Sequence, residues 1–193
     1  IDWAAVFARD VLNLEVALRS MPFAAFMIGM IVGRLSMTRL AESYHPHFIA
    51  SRGSFMAAIA LAISALFSGM LSDISSGLGL LVTVVLWGLA GLGLSPVSPA
   101  FYSAAGHIPG VSTSWAVARL GLMNSTTAIF AKALMGATVE GVGLSLAFFF
   151  PIVLAIGSGI IAGGFARRAK VQELEGAAPP TGPISIVIEQ RDR

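Results

Sequence analysis

The sequence predicts an all-α membrane protein, and three observations carry that expectation. Of its 193 residues, 56% are hydrophobic and only 11% charged, with a mean hydropathy of +0.84. A soluble domain carries about 25% charged residues, so this chain lacks the charge to cover a water-facing surface. The apolar runs are continuous rather than alternating, which excludes a transmembrane β-barrel. Most of the charged residues fall between those runs, where they set topology.

The same composition limits function. The net charge is +2 and the sequence pI about 9.5, but the basic residues are scattered over helix ends, which excludes a nucleic-acid surface. There is no cysteine, hence no disulfide and no thiol chemistry. The chain opens at Ile1 inside Ile-Asp-Trp-Ala-Ala-Val-Phe without the layout of a signal peptide, and is read as a fragment whose upstream part is missing.

Six helical segments are expected. Residues 1–12 are too short to span, since spanning takes about 20 residues; they read as the end of a helix that leaves the membrane at Arg9, Asp10 and Glu15. Residues 20–35 form the second helix. Pro22 stands in its first turn, where a missing N–H costs little. Gly29 and Gly33 make a GxxxG face for close helix approach. Arg39, Glu42, His45 and His47 occupy a polar loop; with no Cys, Asp or third His nearby, the two histidines read as a solvated loop rather than a metal site. Residues 48–71 are the third helix, and Asp73 to Gly77 a tight turn.

The fourth helix, residues 78–103, lies in a stretch from Ile74 to Gly110 with no charged residue. It contains Pro96 and Pro99, which release backbone carbonyls that must be satisfied by neighbours, hydroxyls or water. A kink beside a cavity is expected, or one that serves packing alone, with Ser95 and Ser98 available to the freed carbonyls. The fifth helix, residues 114–139, is the most polar. On a helical projection Gly121, Asn124, Ser125 and Lys132 share one side, and Arg119 points elsewhere. Residues 144–166 form the sixth helix, closed by Arg167, Arg168 and Lys170. Residues 169–193, rich in Pro and Gly, read as a mostly disordered tail. The membrane unit is thus 1–168.

Basic residues set the orientation. Arg34, Arg39, Arg52 and the Arg167–Lys170 cluster fall on one side, and Arg9, Arg19 and the acids Asp10, Glu15, Asp73 and Glu140 on the other. The positive-inside rule places the first side and the C-terminus in the cytoplasm of a multi-pass plasma membrane, the inner membrane in a bacterium.

The succession IDWAAVF, GMIVGRLSMTRL and GLAGLGLSPVSPAFYSAAGHIPG, followed by a polar helix ending in a Gly turn, resembles the C-terminal half of the major facilitator superfamily, in its bacterial sugar-permease-like or drug-efflux-like members. The resemblance covers about residues 1–168 and implies the end of helix seven plus helices eight to twelve. It implies a secondary transporter working by alternating access, proton-coupled in some members. Its partners would be the lipid bilayer, a small solute and a missing N-terminal six-helix half. Asp2-Trp3 matches an acid–tryptophan pair of helix seven. Gly33-Arg34-Leu35 and Arg39-Leu40 match the loop after helix eight, although Met37 and Thr38 stand where a Gly-Asp is usual. Lys132-Ala133 replaces a Pro-Pro pair of helix eleven.

Ionisable groups inside spans are functional candidates by default. Asp2 is either a proton-coupling carboxylate or a water-accessible or N-capping acid. Lys132 with Asn124 and Ser125 either binds an anionic or polyhydroxylated solute, or the lysine snorkels to the interface. Trp3 and Trp87 are candidate ligand contacts, with packing the other role for Trp87. Arg34, Arg39, Pro96, Pro99 and Arg119 are read as gating or structural. No catalytic motif, metal site or cofactor signature is present, so an enzyme is not expected. The rival class is a non-transporting helical membrane protein, such as a sensor or assembly scaffold.

Overall fold

The computed structural model describes residues 2–40, 43–106, 108 and 110–177. Every regular element among them is helical. The helices are α1 (Asp2–Asp10), α2 (Met21–Leu40), α3 (Pro46–Ile74), α4 (Ser76–Leu94), α5 (Val97–Gly106), α6 (Thr113–Val142), α7 (Leu144–Ala147) and α8 (Phe149–Ala177), with one 3-10 turn at Val16–Leu18. Four stretches are long and apolar enough to cross a membrane: Val16–Met37, Pro46–Ile74, Ser76–Gly106 and Phe149–Arg168. The 30-residue α6 is not among them. Arg119, Asn124, Lys132 and Glu140 dilute its apolar character.

Helix α3 shows why this bundle belongs in lipid. Its buried positions are small: Ala50, Ser51, Ser54, Ala57, Ala58, Ala60, Ser64 and Ser68, with Leu61 the largest. Its exposed positions include Phe55, Ile59, Ile63, Leu66 and Phe67. A soluble helix buries its large apolar side chains. In a membrane lipid solvates those chains, and small residues serve the interior because they let backbones approach.

Close approach is achieved at glycines. A side chain at Gly29 of α2 would strike the Gly88 carbonyl of α4, and one at Gly91 would strike the Phe26 carbonyl of α2. Gly53 of α3 and Gly93 of α4 face each other's carbonyls in the same way. The second expected pair, Gly159 and Gly163, meets α3: a Cβ at Gly159 would lie 3.2 Å from the Ser54 Cβ, and one at Gly163 3.0 Å from the Ser51 hydroxyl. Ser51 donates to the Gly159 carbonyl at 2.7 Å, and Ser158 donates to Ser54 at 3.1 Å. The middle of α8 therefore lies beside the start of α3, where His47 and Phe165 stand 5.7 Å apart.

Two helices break at proline. The expected fourth helix divides into α4 and α5 at Ser95–Pro96. Pro96 removes the donor that would have met the Leu92 carbonyl, and the Ser95 hydroxyl donates to that carbonyl instead, at 2.8 Å. The expected sixth helix, 144–166, is corrected to α7 and α8. Pro151 cannot donate to Ala147 and its ring crowds that carbonyl, so the chain turns at Phe148. Beyond Arg168 the helix continues to Ala177 rather than yielding to a tail at 169, because Val-Gln-Glu-Leu-Glu carries no breaker. Residues 178–193 lie outside the described residues, as do Glu42, His107 and Pro109.

Turns follow their chemistry. Ser75, in extended conformation, is the one link between α3 and α4. Gly143 ends α6 at φ 85°, a left-handed conformation that glycine adopts without a Cβ penalty.

Candidate functional site

A cavity of about 350 Å³ opens where α1, α2, α3, α4, α6 and α8 converge. Trp3 reaches it from α1, Phe23 and Phe26 from α2, Trp87 from α4, Lys132 and Met135 from α6, and Phe148, Phe150 and Pro151 from the broken helix. Backbone that departs from helix at membrane depth is tolerated where it lines a cavity or is buried in protein. The α7–α8 break falls just before the span Phe149–Arg168, and Phe148, Phe150 and Pro151 form part of the wall.

The floor is an aromatic cluster. Phe7 packs against Phe148 with ring centroids 4.6 Å apart and against Trp87 at 5.8 Å, and Trp87 lies 5.9 Å from Phe148. Trp87 is 7% exposed. Its indole N–H donates to the Ser64 hydroxyl at 3.0 Å, and Ser64 is 3.2 Å from Ser68. The rotamer of Trp87 is thus held from behind while one edge reaches the cavity. Trp3 lies over α6 at Gly136, where a Cβ would approach its ring to 3.7 Å.

Lys132 is the cation of this wall. It stands ten residues before the end of α6 at Val142, about 15 Å along the axis, and is exposed. No described carboxylate pairs with it; the ion pair found among the described residues is Arg9–Asp10.

The sequence candidates separate accordingly. Trp3, Trp87 and Lys132 meet at one cavity. Asp2 is the first residue of α1, adjacent to Trp3; its side chain lies outside the described residues. Asn124 and Ser125 are exposed and do not line this cavity. They sit eight and seven residues from Lys132, roughly 12 Å along the axis, so a shared helix side does not bring them to the same place. Arg119 lies over the Trp115 ring at 4.4 Å. Arg34 and Arg39 are exposed near the end of α2, and Pro99 is exposed in the first turn of α5.

The other broken helix also borders a cavity, of about 570 Å³, lined by Gly33, Tyr44, Arg52, Ser95 and Pro96 among others. Arg52 there lies over the Phe48 ring at 4.3 Å. The expected kink beside a cavity is therefore found at Pro96. The aromatic lining at Phe23, Phe26, Phe148 and Phe150 was not singled out from sequence. The i, i+3 spacing of Phe23 and Phe26 and the Phe148–Phe150 run were its available signals.

Fold and cavity together define a multi-pass α-helical membrane protein. Among known proteins, the chain is similar to an uncharacterized MFS-type transporter of Yersinia pestis, at 26% identity over 148 residues. That match takes in 77% of this chain and 36% of the relative, so the chain spans about a third of the relative's length. No family model matches the chain, and no solved structure does.

Proposed function

We propose that the protein is a secondary active transporter of the major facilitator type, moving a small solute by alternating access. The observation that carries this is the convergence of Trp3, Trp87 and Lys132 on one cavity between helices. On the reading that α6 lies within the membrane, a charge there is costly and marks a solute or ion pathway. The similarity to an MFS-type transporter supports the same reading, as does the discontinuous span Ser76–Gly106, broken at Pro96, a feature found in transporters. On this reading the chain acts together with a further six-helix half, the basic helix ends face the cytoplasm, and the protein is not an enzyme.

Asp2, beside Trp3, carries proton coupling in this proposal. A carboxylate that is protonated on one side and released on the other links solute movement to the proton gradient. The α4–α5 break at Pro96 belongs to the gate on the side of the basic residues. Uptake or efflux across a solute panel in vesicles, with and without an imposed pH gradient, tests both steps. Gradient-driven flux that loses its pH dependence in Asp2→Asn is the expected result. Full gradient-driven flux in that variant rejects the coupling role, and no flux for any solute favours a sensor or scaffold.

A further inference from the structure

The polar inventory of the 350 Å³ cavity is very small. Among the described residues that line it, the polar side-chain groups apart from Lys132 are two indole N–H groups. That of Trp87 is already committed to Ser64 at 3.0 Å. The rest of the wall is aromatic or aliphatic, with Phe23, Phe26 and Phe148 as its broad surfaces. A polyhydroxylated solute would lose its water against this wall and recover few hydrogen bonds, and each hydroxyl left unpaired is penalised. A flat apolar body would meet aromatic faces, and a single anionic group would meet the ammonium of Lys132. The volume lies at the lower end of the range for small-molecule sites, enough for one ring with short substituents.

We infer that this cavity binds an amphipathic organic monoanion, an aromatic or alicyclic carboxylate of about one ring, with the carboxylate on Lys132 and the ring among the tryptophan and phenylalanine side chains. This deepens the transporter reading and rests on it for the solute's movement, though not for its binding. Of the two solute chemistries open to Lys132, the anionic one is selected because the wall that this chain's described residues supply has one charge and almost no neutral hydrogen-bonding groups.

The test is equilibrium binding of radiolabelled benzoate to the purified protein in lipid nanodiscs, with benzamide and glucose as competitors. Benzamide keeps the ring and removes the charge; glucose does the reverse of the apolar requirement. Saturable benzoate binding is expected, with benzamide at least about tenfold weaker, the loss of one charge-assisted hydrogen bond. Glucose should not compete. Lys132→Gln should weaken benzoate by a similar factor and leave benzamide unchanged, whereas Lys132→Arg should keep most of the affinity. Because the acid–amide comparison is made on the unaltered protein, it stands even where Lys132→Gln fails to fold. Equal binding of benzamide and benzoate, absence of benzoate binding, or competition by glucose overturns the inference. Flux in vesicles separates it from the transporter reading. Benzoate bound with no flux of any solute in the panel sinks transport and leaves the site; glucose moved with benzoate ignored does the opposite.

Discussion

The Ser95 hydroxyl donates to the Leu92 carbonyl at 2.8 Å, the acceptor that Pro96 leaves without its helical partner. A serine one position before a proline thus repairs the break the proline makes, at a site packed against Gly33 of α2. Ser95→Ala should destabilise the protein by about 1 kcal/mol, the range of hydrogen bonds inside membrane bundles. In the Pro96→Ala background the same change should cost less, because the helix can then satisfy Leu92 itself. A double-mutant cycle read by denaturant unfolding in detergent checks this; additive effects would mean that the two residues are not coupled.

Glycine positions should divide into two classes. Gly29→Leu and Gly91→Leu place a side chain against the Gly88 and Phe26 carbonyls, and backbone cannot yield as a flexible side chain does. Each should cost about 1–3 kcal/mol or more and lower the yield of monodisperse protein. At Gly157 an added Cβ meets nothing within 4 Å, so Gly157→Ala should be neutral or stabilising by up to about 1 kcal/mol. Thermal unfolding in detergent, followed by size-exclusion chromatography, distinguishes the two classes.

Trp87 should report on Ser64. Ser64→Ala strands the buried indole N–H, with an expected loss of about 1 kcal/mol and a blue shift in the Trp87 emission. Trp87→Phe should be milder, since Ser64 keeps Ser68 at 3.2 Å. Fluorescence of Ser64→Ala in a Trp3→Phe, Trp115→Phe background reads the emission of Trp87 alone, and thermal unfolding in detergent compares the stability of the two variants.

The Arg9–Asp10 pair should matter little. Arg9 Nη2 donates to Asp10 Oδ2 at 2.9 Å. Hydrogen bonding from Arg9 holds the Asp10 carboxyl below its usual value. A lowered carboxylate pKa contributes stability above the ordinary carboxylate value, and that contribution is lost as pH falls through the folded pKa. Both groups are solvent-exposed, so the contribution is screened. Asp10→Asn should therefore shift the unfolding midpoint only slightly near neutral pH, and the small difference from the parent should vanish in acid, where the parent loses the same contribution. A large midpoint shift at neutral pH would show a structural role.

The helices were legible because lipid imposes long apolar runs. The two Gly pairs and the Pro96 kink were legible because glycine and proline have one physical meaning each. The break at Phe148 was missed although Pro151 announced it, since a proline near a helix start normally fits its first turn. Lys132 was found through its charge. The aromatic wall was not, because phenylalanines facing a cavity and phenylalanines facing lipid look alike along the chain. Asn124 and Ser125 were grouped with Lys132 by helical angle alone, and the rise along the axis separates them.

The central claim is alternating access to the cavity at Lys132, and the chain's lack of cysteine allows a direct test. A single cysteine at the cavity-lining Ala131→Cys position is labelled with a membrane-impermeant maleimide in right-side-out and inverted vesicles. The account predicts labelling from both sides, with the rate on one side rising as that on the other falls when benzoate is added. Labelling from one side only, unchanged by solute, would contradict it.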